Sequence, residues 1–113
     1  MPEPSRGEVW QANLSPTTGH ETRGNRPCLV VSVDPFNHGP AGLVVVLPLT
    51  TRDKGIPLHV EVIPPEGGLT KRSFVKCEEP RSISKARLTK RLGELAARTM
   101  DEVNDRLQIL LDL

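Results

Sequence analysis

Aromatic residues are nearly missing from this chain: one Trp (Trp10), two Phe (Phe36 and Phe74) and no Tyr among 113 residues. The core must therefore rest on Val, Leu and Ile, and the composition argues against a base-stacking surface built from several aromatics. Cysteine is scarce too. Cys28 and Cys77 form no C-x-x-C pair and have no His at zinc-site spacing, so no metal site is readable. Each lies in an apolar, strand-like run, where a buried free thiol is the usual case. Long apolar runs are lacking: the longest, Leu43–Leu49, is too short to span a bilayer. The opening residues MPEPSRGEVW contain no apolar leader segment. These absences predict a soluble, cytoplasmic protein with no membrane partner and no cofactor. No repeat, low-complexity stretch or domain boundary is readable, and the length suits one domain over residues 1–113.

Net charge is also nearly absent, at +1, but its distribution is uneven. Between Lys71 and Arg91 stand Lys71, Arg72, Lys76, Arg81, Lys85, Arg87, Lys90 and Arg91 against only Glu78 and Glu79, a local excess of six positive charges. Such a segment reads either as a footprint for a polyanion or as a solvated, lysine-protected edge strand.

Along the chain, residues 1–5 hold two prolines and little to bury, which predicts a loose tail. Glu8–Leu14 alternates polar and apolar as a half-buried strand does. Ser15-Pro16-Thr17-Thr18-Gly19 breaks it. Cys28–Val33 is a β-branched run and predicts a second strand. Asp34–Pro40 reads as a turn-rich connection, with His38 a plain loop residue. Leu43–Thr50 predicts a third, fully apolar strand, with Thr50, Thr51 and Arg52 at its polar exit. Asp53-Lys54-Gly55 is a tight turn. Ile56–Ile63 and Ser73–Glu78 follow as strands, with His59 a satisfied structural residue and Pro80 closing the second ladder. Ser82–Arg87 fits a helical turn and Arg91–Leu95 a last short strand. Thr99–Glu102 fits a capping box, opening a helix whose apolar face carries Met100, Val103, Leu107, Leu110 and Leu111. Short strands at close spacing with one terminal helix predict an antiparallel, partly closed barrel.

The stretch Gly19–Asp34, GHETRGNRPCLVVSVD, is where chemistry concentrates. A glycine-bearing polar loop presents His20, Glu21, Arg23 and Arg26, then meets Pro27 and an apolar strand. Pro27 biases Arg26 towards extended backbone, so its guanidinium leaves the sheet from a defined position. Each residue also has an ordinary reading: a surface ion pair for Arg26, a turn former for Thr50, a solvated loop pair for His20 and Glu21. Trp10 reads as a filler of the core or of a dimer interface.

Seven segments together resemble the MazF/PemK toxins, the ribonuclease half of bacterial toxin–antitoxin pairs. They are Arg6-Gly7-Glu8-Val9-Trp10, Leu14-Ser15-Pro16-Thr17, Gly19-His20-Glu21, Arg26-Pro27, Val46-Leu47-Pro48-Leu49-Thr50-Thr51, Pro57-Leu58-His59-Val60-Glu61 and Arg81-Ser82-Ile83, followed by a leucine-rich helix. The resemblance implies an SH3-like barrel and a homodimer that cuts single-stranded RNA without a metal. It also implies a MazE-like antitoxin whose C-terminal segment covers the site. It assigns catalysis to Arg26 and Thr50 and implicates Glu21, and it places Arg23, Gly24, Thr51, Arg52, Ser73, Glu79 and Arg81 in contact with RNA. His20 stands where relatives often carry serine. Glu78-Glu79-Pro80 replaces their acidic-Gln-Ile, and a carboxylate at Glu79 is expected to repel phosphate.

Metal-free RNA cleavage needs a base for the 2′-hydroxyl, an acid for the leaving 5′-oxygen and positive donors on the phosphoryl oxygens. Arg26 suits the last role by its planar fork. Thr50 can donate to phosphate or orient the 2′-hydroxyl, and His20 or Glu21 can supply the base. Two other functions compete: a non-catalytic gyrase-binding toxin of the same fold, which presents its C-terminal helix end, and a degenerate homologue that binds RNA or antitoxin without cutting. The leucine-rich end Leu107–Leu113 reads as core packing, which ranks the gyrase reading lower.

Overall fold

The computed structural model describes residues 3–113. Its elements run β1 (Glu8–Asn13), β2 (Asn25–Val30), α1 (Asp34–Asn37), β3 (Leu43–Thr50), β4 (His59–Val62), β5 (Ser73–Lys76), β6 (Arg81–Ser84), β7 (Leu88–Glu94) and α2 (Ala97–Leu111), with 3-10 turns at Glu66–Gly68 and Lys85–Arg87. The strands, all antiparallel, pair in the order β4-β5-β3-β2-β1-β7, and β6 joins β3. The sheet curls without closing, with β4 and β7 at its ends. This is the partly closed antiparallel architecture, with a C-terminal helix, that the short strands predict. No helix among the described residues is long and apolar enough to cross a membrane.

Period-two alternation divides the apolar side chains of β1–β3 between two cores. Val9, Leu29, Leu47 and Leu49 enter one, joined by Val60, Val62, Val75, Met100 and Val103. Trp10, Ala12, Cys28, Val30, Val44 and Val46 enter the other, with Leu14, Ile83 and Leu88. Burial on both faces is why β3 reads as a continuous apolar run rather than an alternating one. Trp10 fills the second core, its indole N–H donating to Glu8 Oε1 at 3.0 Å. Both cysteines are free and buried.

Several boundaries depart from the sequence reading. The second strand starts at Asn25 and ends at Val30, so Arg26 and Pro27 lie inside the ladder, opposite Ala12 and Gln11. Asp34–Asn37 forms a short helix with Pro at its start, where Pro lacks a needed donor least. The fourth and fifth strands are shorter than predicted, at His59–Val62 and Ser73–Lys76. Arg81–Ser84 is a strand against β3, and the helical turn follows it at Lys85–Arg87. The last strand begins at Leu88, three residues early.

Helix α2 corrects two expectations. It opens at Ala97 with Ala96 as its cap residue and no capping side chain of its own. Instead Glu66, thirty residues upstream, accepts a bond from the Ala96 N–H at 3.0 Å, so tertiary structure and not the Thr99–Glu102 box sets the start. Met100 and Val103 are buried and Leu107 packs partly against them. Ile109, Leu111 and Leu113, by contrast, are 64%, 52% and 85% exposed, so the helix end is not wholly core.

Residues 1 and 2 of the expected tail lie outside the described residues. The part that is described is tied down: Pro4 is buried, its carbonyl meets His38 Nε2 at 2.9 Å, and Glu3 pairs with Lys85 at 2.8 Å. His38 thereby acts as an anchor rather than as plain loop. His59 is satisfied on one side only, its Nε2 lying 3.0 Å from Glu78 Oε2 while its Nδ1 has no partner among the described residues.

Candidate active site

The β2–β3 register brings the two key side chains together. Cys28 faces Pro48 and Leu29 faces Leu47; continuing that register by two residues sets Arg26 across from Thr50. Positions two apart on a strand share a face, so the guanidinium at the start of β2 and the hydroxyl at the end of β3 meet at one end of the sheet. Both line a cavity of about 320 Å³, together with Gly19, His20, Glu21, Thr22, Arg23, Arg52, Lys54 and Lys76. Of the predicted site residues, Arg26, Thr50, Glu21, His20, Arg23 and Arg52 therefore converge.

Thr50 is only 9% exposed, and its Oγ1 accepts a bond from the Arg52 N–H at 3.2 Å, which leaves the hydroxyl proton for a ligand. Arg26 spends its Nε on the Arg23 carbonyl at 3.1 Å, and this contact fixes the fork while its terminal nitrogens make no hydrogen bond among the described residues. Glu21 is loosely held: Oε1 accepts from the Thr18 N–H at 3.2 Å and Oε2 lies 3.8 Å from Arg81. His20 is exposed and makes no hydrogen bond among the described residues. Neither His20 nor Glu21 bonds to Thr50 or Arg26, so the geometry leaves both open as the base.

Gly24, Thr51, Ser73, Glu79 and Arg81 do not line this cavity. Gly24 closes the loop behind it, its N–H on Ser15 Oγ and its carbonyl on the Leu14 N–H, at a positive φ of 84° that suits glycine. Thr51 is exposed beside it, and Ser73 is buried with its hydroxyl on the Lys71 carbonyl at 2.9 Å. Glu79 turns to Thr22, accepting from its N–H at 2.5 Å and its hydroxyl at 2.6 Å, and pairs with Lys76 at 3.2 Å. The phosphate repulsion expected of this carboxylate is thus neutralised locally. Burial pushes its pKa up, but the two Thr22 bonds and the Lys76 charge outweigh that and hold the carboxyl below its ordinary range. A neighbouring recess of about 400 Å³ runs along His20, Glu21, Lys76, Glu78 and Glu79.

The basic segment distributes itself differently from its local count. Arg72 pairs with Asp53 and Glu61 and lies over Phe74, 5.0 Å from the ring centroid. Lys85 pairs with Glu3, and Arg91 with Glu8 and Glu94. Arg87 donates to the Asn13 and Ser15 carbonyls. Among the described residues, the cations without an ion pair that line the cavity are Arg23, Arg26, Arg52 and Lys54. Sequence reasoning missed Lys54 as a site residue, taking it for a turn; its nearness to Thr50 along the chain was the available signal. Among the described residues no group of three or more His, Cys, Asp or Glu side chains is placed to hold a metal ion.

Comparison with known proteins matches residues 5–111 to the family profile described as PemK-like, MazF-like toxin of type II toxin–antitoxin system. The chain is 37% identical over 109 residues to the endoribonuclease EndoA of Bacillus subtilis, covering 96% of this chain and 94% of that one. The crystal structure of MazF from Deinococcus radiodurans superposes with a TM-score of 0.90 at 32% identity over the full length of both chains. A mycobacterial endoribonuclease in complex with its cognate antitoxin superposes with a TM-score of 0.81 at 31% identity, covering 97% of this chain and 96% of that one.

Proposed function

The chain belongs to the PemK-like, MazF-like toxin family, and on that footing we propose that it is a sequence-specific, metal-independent endoribonuclease of single-stranded RNA, the toxin of a toxin–antitoxin pair. The observation that carries the reading is the convergence of Arg26 and Thr50 in a cavity rimmed by unpaired cations. The RNA 2′-oxygen attacks the adjacent phosphorus while His20 or Glu21 takes its proton, and the bond from phosphorus to the 5′-oxygen breaks as that oxygen gains a proton. The products are a 2′,3′-cyclic phosphate and a 5′-hydroxyl. Arg26 stabilises the charge that builds on the phosphoryl oxygens, through two parallel N–H donors and a fixed positive charge. Thr50 donates its hydroxyl proton to the same phosphate and so fixes its orientation.

The test is cleavage of a long, unstructured RNA in excess EDTA, with the fragment ends mapped. Discrete cuts with 5′-hydroxyl ends, lost in Arg26→Ala while the variant stays folded, are expected. Undiminished cutting by Arg26→Ala removes that residue from the mechanism, and a requirement for added metal refutes the metal-independent route.

The same reading makes the protein a cytoplasmic homodimer, silenced by a MazE-like antitoxin segment lying across the cavity. A monomer mass in light scattering at micromolar concentration counts against the dimer. One observation favours the gyrase reading: the apolar side chains Ile109, Leu111 and Leu113 are exposed at the helix end. Inhibition of supercoiling by protein that leaves RNA intact reverses the ranking.

A further inference from the structure

Every polar group of Thr22 is held from one short segment of chain. Its N–H and hydroxyl donate to the two oxygens of Glu79, at 2.5 and 2.6 Å. Its hydroxyl oxygen also accepts from Lys76 Nζ at 2.7 Å, and its carbonyl accepts from Arg81 Nη1 at 2.7 Å. Lys76, Glu79 and Arg81 are each about 15% exposed, at 14%, 16% and 15%, so these bonds are shielded from competing water. The segment is braced from behind, where Glu78 meets buried His59. Thr22 sits between Glu21 and Arg23, and all three line the cavity that contains Arg26 and Thr50. Arg23 in turn holds Arg26 by its carbonyl. The loop carries few other anchors across its middle: Thr18 to Glu21 is a local turn, and Gly24 to Ser15 lies at its base.

We propose that Glu79 is a positioning residue, whose carboxylate clasps Thr22 and thereby sets where Glu21, Arg23 and, through Arg23, Arg26 stand relative to the scissile phosphate. The role of Glu79 in turnover rests on the ribonuclease reading above; the clasp itself does not. The charge is essential because three donors converge on Glu79: the Thr22 amide, the Thr22 hydroxyl and the Lys76 ammonium. A glutamine there brings its own NH₂ group, which must oppose the amide or the ammonium, so at least one bond is lost and the remaining ones lose charge assistance. Losing a hydrogen bond to a charged group corresponds to roughly tenfold or more in a local opening equilibrium.

Two measurements separate the clasp from its catalytic consequence. Limited trypsin digestion, followed by mass spectrometry of the Arg23–Gly24 bond, reports loop opening without any RNA. Glu79→Gln and Thr22→Val each accelerate that cut about tenfold, the double variant adds little beyond either, and Thr22→Ser, which keeps both groups, retains the resistance. On RNA, Glu79→Gln lowers kcat by a larger factor than it raises KM, as expected when catalytic groups are misplaced more than binding contacts are removed. Trypsin rates equal to wild type in both single variants overturn the clasp. Accelerated digestion with a raised KM and an intact kcat makes Glu79 an RNA contact and overturns the positioning role. Should the wild-type protein cut no RNA, the trypsin arm still decides the clasp, and the ribonuclease reading falls separately.

Discussion

Replacing Lys54 by methionine should flatten the salt dependence of RNA binding while leaving the protein folded, because Lys54 is exposed and without an ion pair among the described residues, and methionine keeps its apolar stem. Four such cations, Arg23, Arg26, Arg52 and Lys54, line the cavity. A single-stranded nucleic acid releases counterions with a slope of roughly 0.7 in log affinity against log salt for each phosphate neutralised, so full use of all four gives a slope of about −2.8 and the variant about −2.1. Raising salt from about 50 to about 200 mM then weakens wild-type binding roughly 50-fold and the variant's about 20-fold. The assay is fluorescence anisotropy with a fully 2′-O-methylated oligonucleotide of the mapped cleavage sequence, which cannot be cut because its 2′-oxygen carries no proton. Equal slopes for wild type and variant refute a phosphate contact by Lys54. A wild-type slope well beyond about −3.5 shows that cations now engaged with carboxylates exchange partners on binding, which undoes the division between paired and free charges.

Three further outcomes test the fold and its electrostatics. Gly68→Ala should cost at least about 2 kcal/mol in urea unfolding, since an added Cβ would lie 1.8 Å from the Leu92 carbonyl oxygen at a φ of +69°. Burial pushes the Cys28 and Cys77 thiols up to about 12, so iodoacetamide at pH 8 should leave both unmodified in the native protein and alkylate both in urea, as read by intact mass. The Glu79 carboxyl is held below its ordinary value of 4.5, so it contributes stability that is present above that pH and is lost as pH falls through its folded value; the stability gap between wild type and Glu79→Gln should therefore shrink on acidification below pH 4.5, and a constant gap refutes the linkage.

What was legible in the sequence follows the range of the interactions involved. The strand ends that carry Arg26 and Thr50 were legible from local signals, a proline beside one and a polar exit beside the other, but singling the two residues out took the family resemblance, and their juxtaposition depends on the β2–β3 register. The apolar run of β3 was legible too, but not that its two faces feed two separate cores. The start of α2 was not legible, because the bond that fixes its cap residue Ala96 comes from Glu66, which no local pattern connects to it. Asp34–Asn37 was read as turn because a four-residue helix offers no periodicity to detect. Glu79 illustrates the hardest case. In sequence it is an acid beside an acid in a basic run; in the fold its partners are Thr22, fifty-seven residues away, and Lys76.

The positive run from Lys71 to Arg91 and the near-zero net charge both mislead for one physical reason. A cation that already faces a carboxylate gains little from phosphate, since it exchanges one anion for another and leaves the carboxylate unpaired. A free cation gives up only condensed counterions and water. Lys85 and Arg91 find their acids at Glu3 and Glu8, some eighty residues upstream, and Arg72 finds two more on neighbouring segments. The Lys85 and Arg91 pairs fasten the N-terminal and C-terminal parts together, which is structural work. The four cavity cations without an ion pair among the described residues come instead from the two segments that flank the β2–β3 end, around Arg26 and just past Thr50. Attraction for a polyanion is therefore decided by which charges folding leaves without partners; among the described residues Lys71, Lys90 and Arg98 also lack a carboxylate, but Arg23, Arg26, Arg52 and Lys54 are the ones gathered around the hydroxyl and guanidinium set across from each other by the sheet.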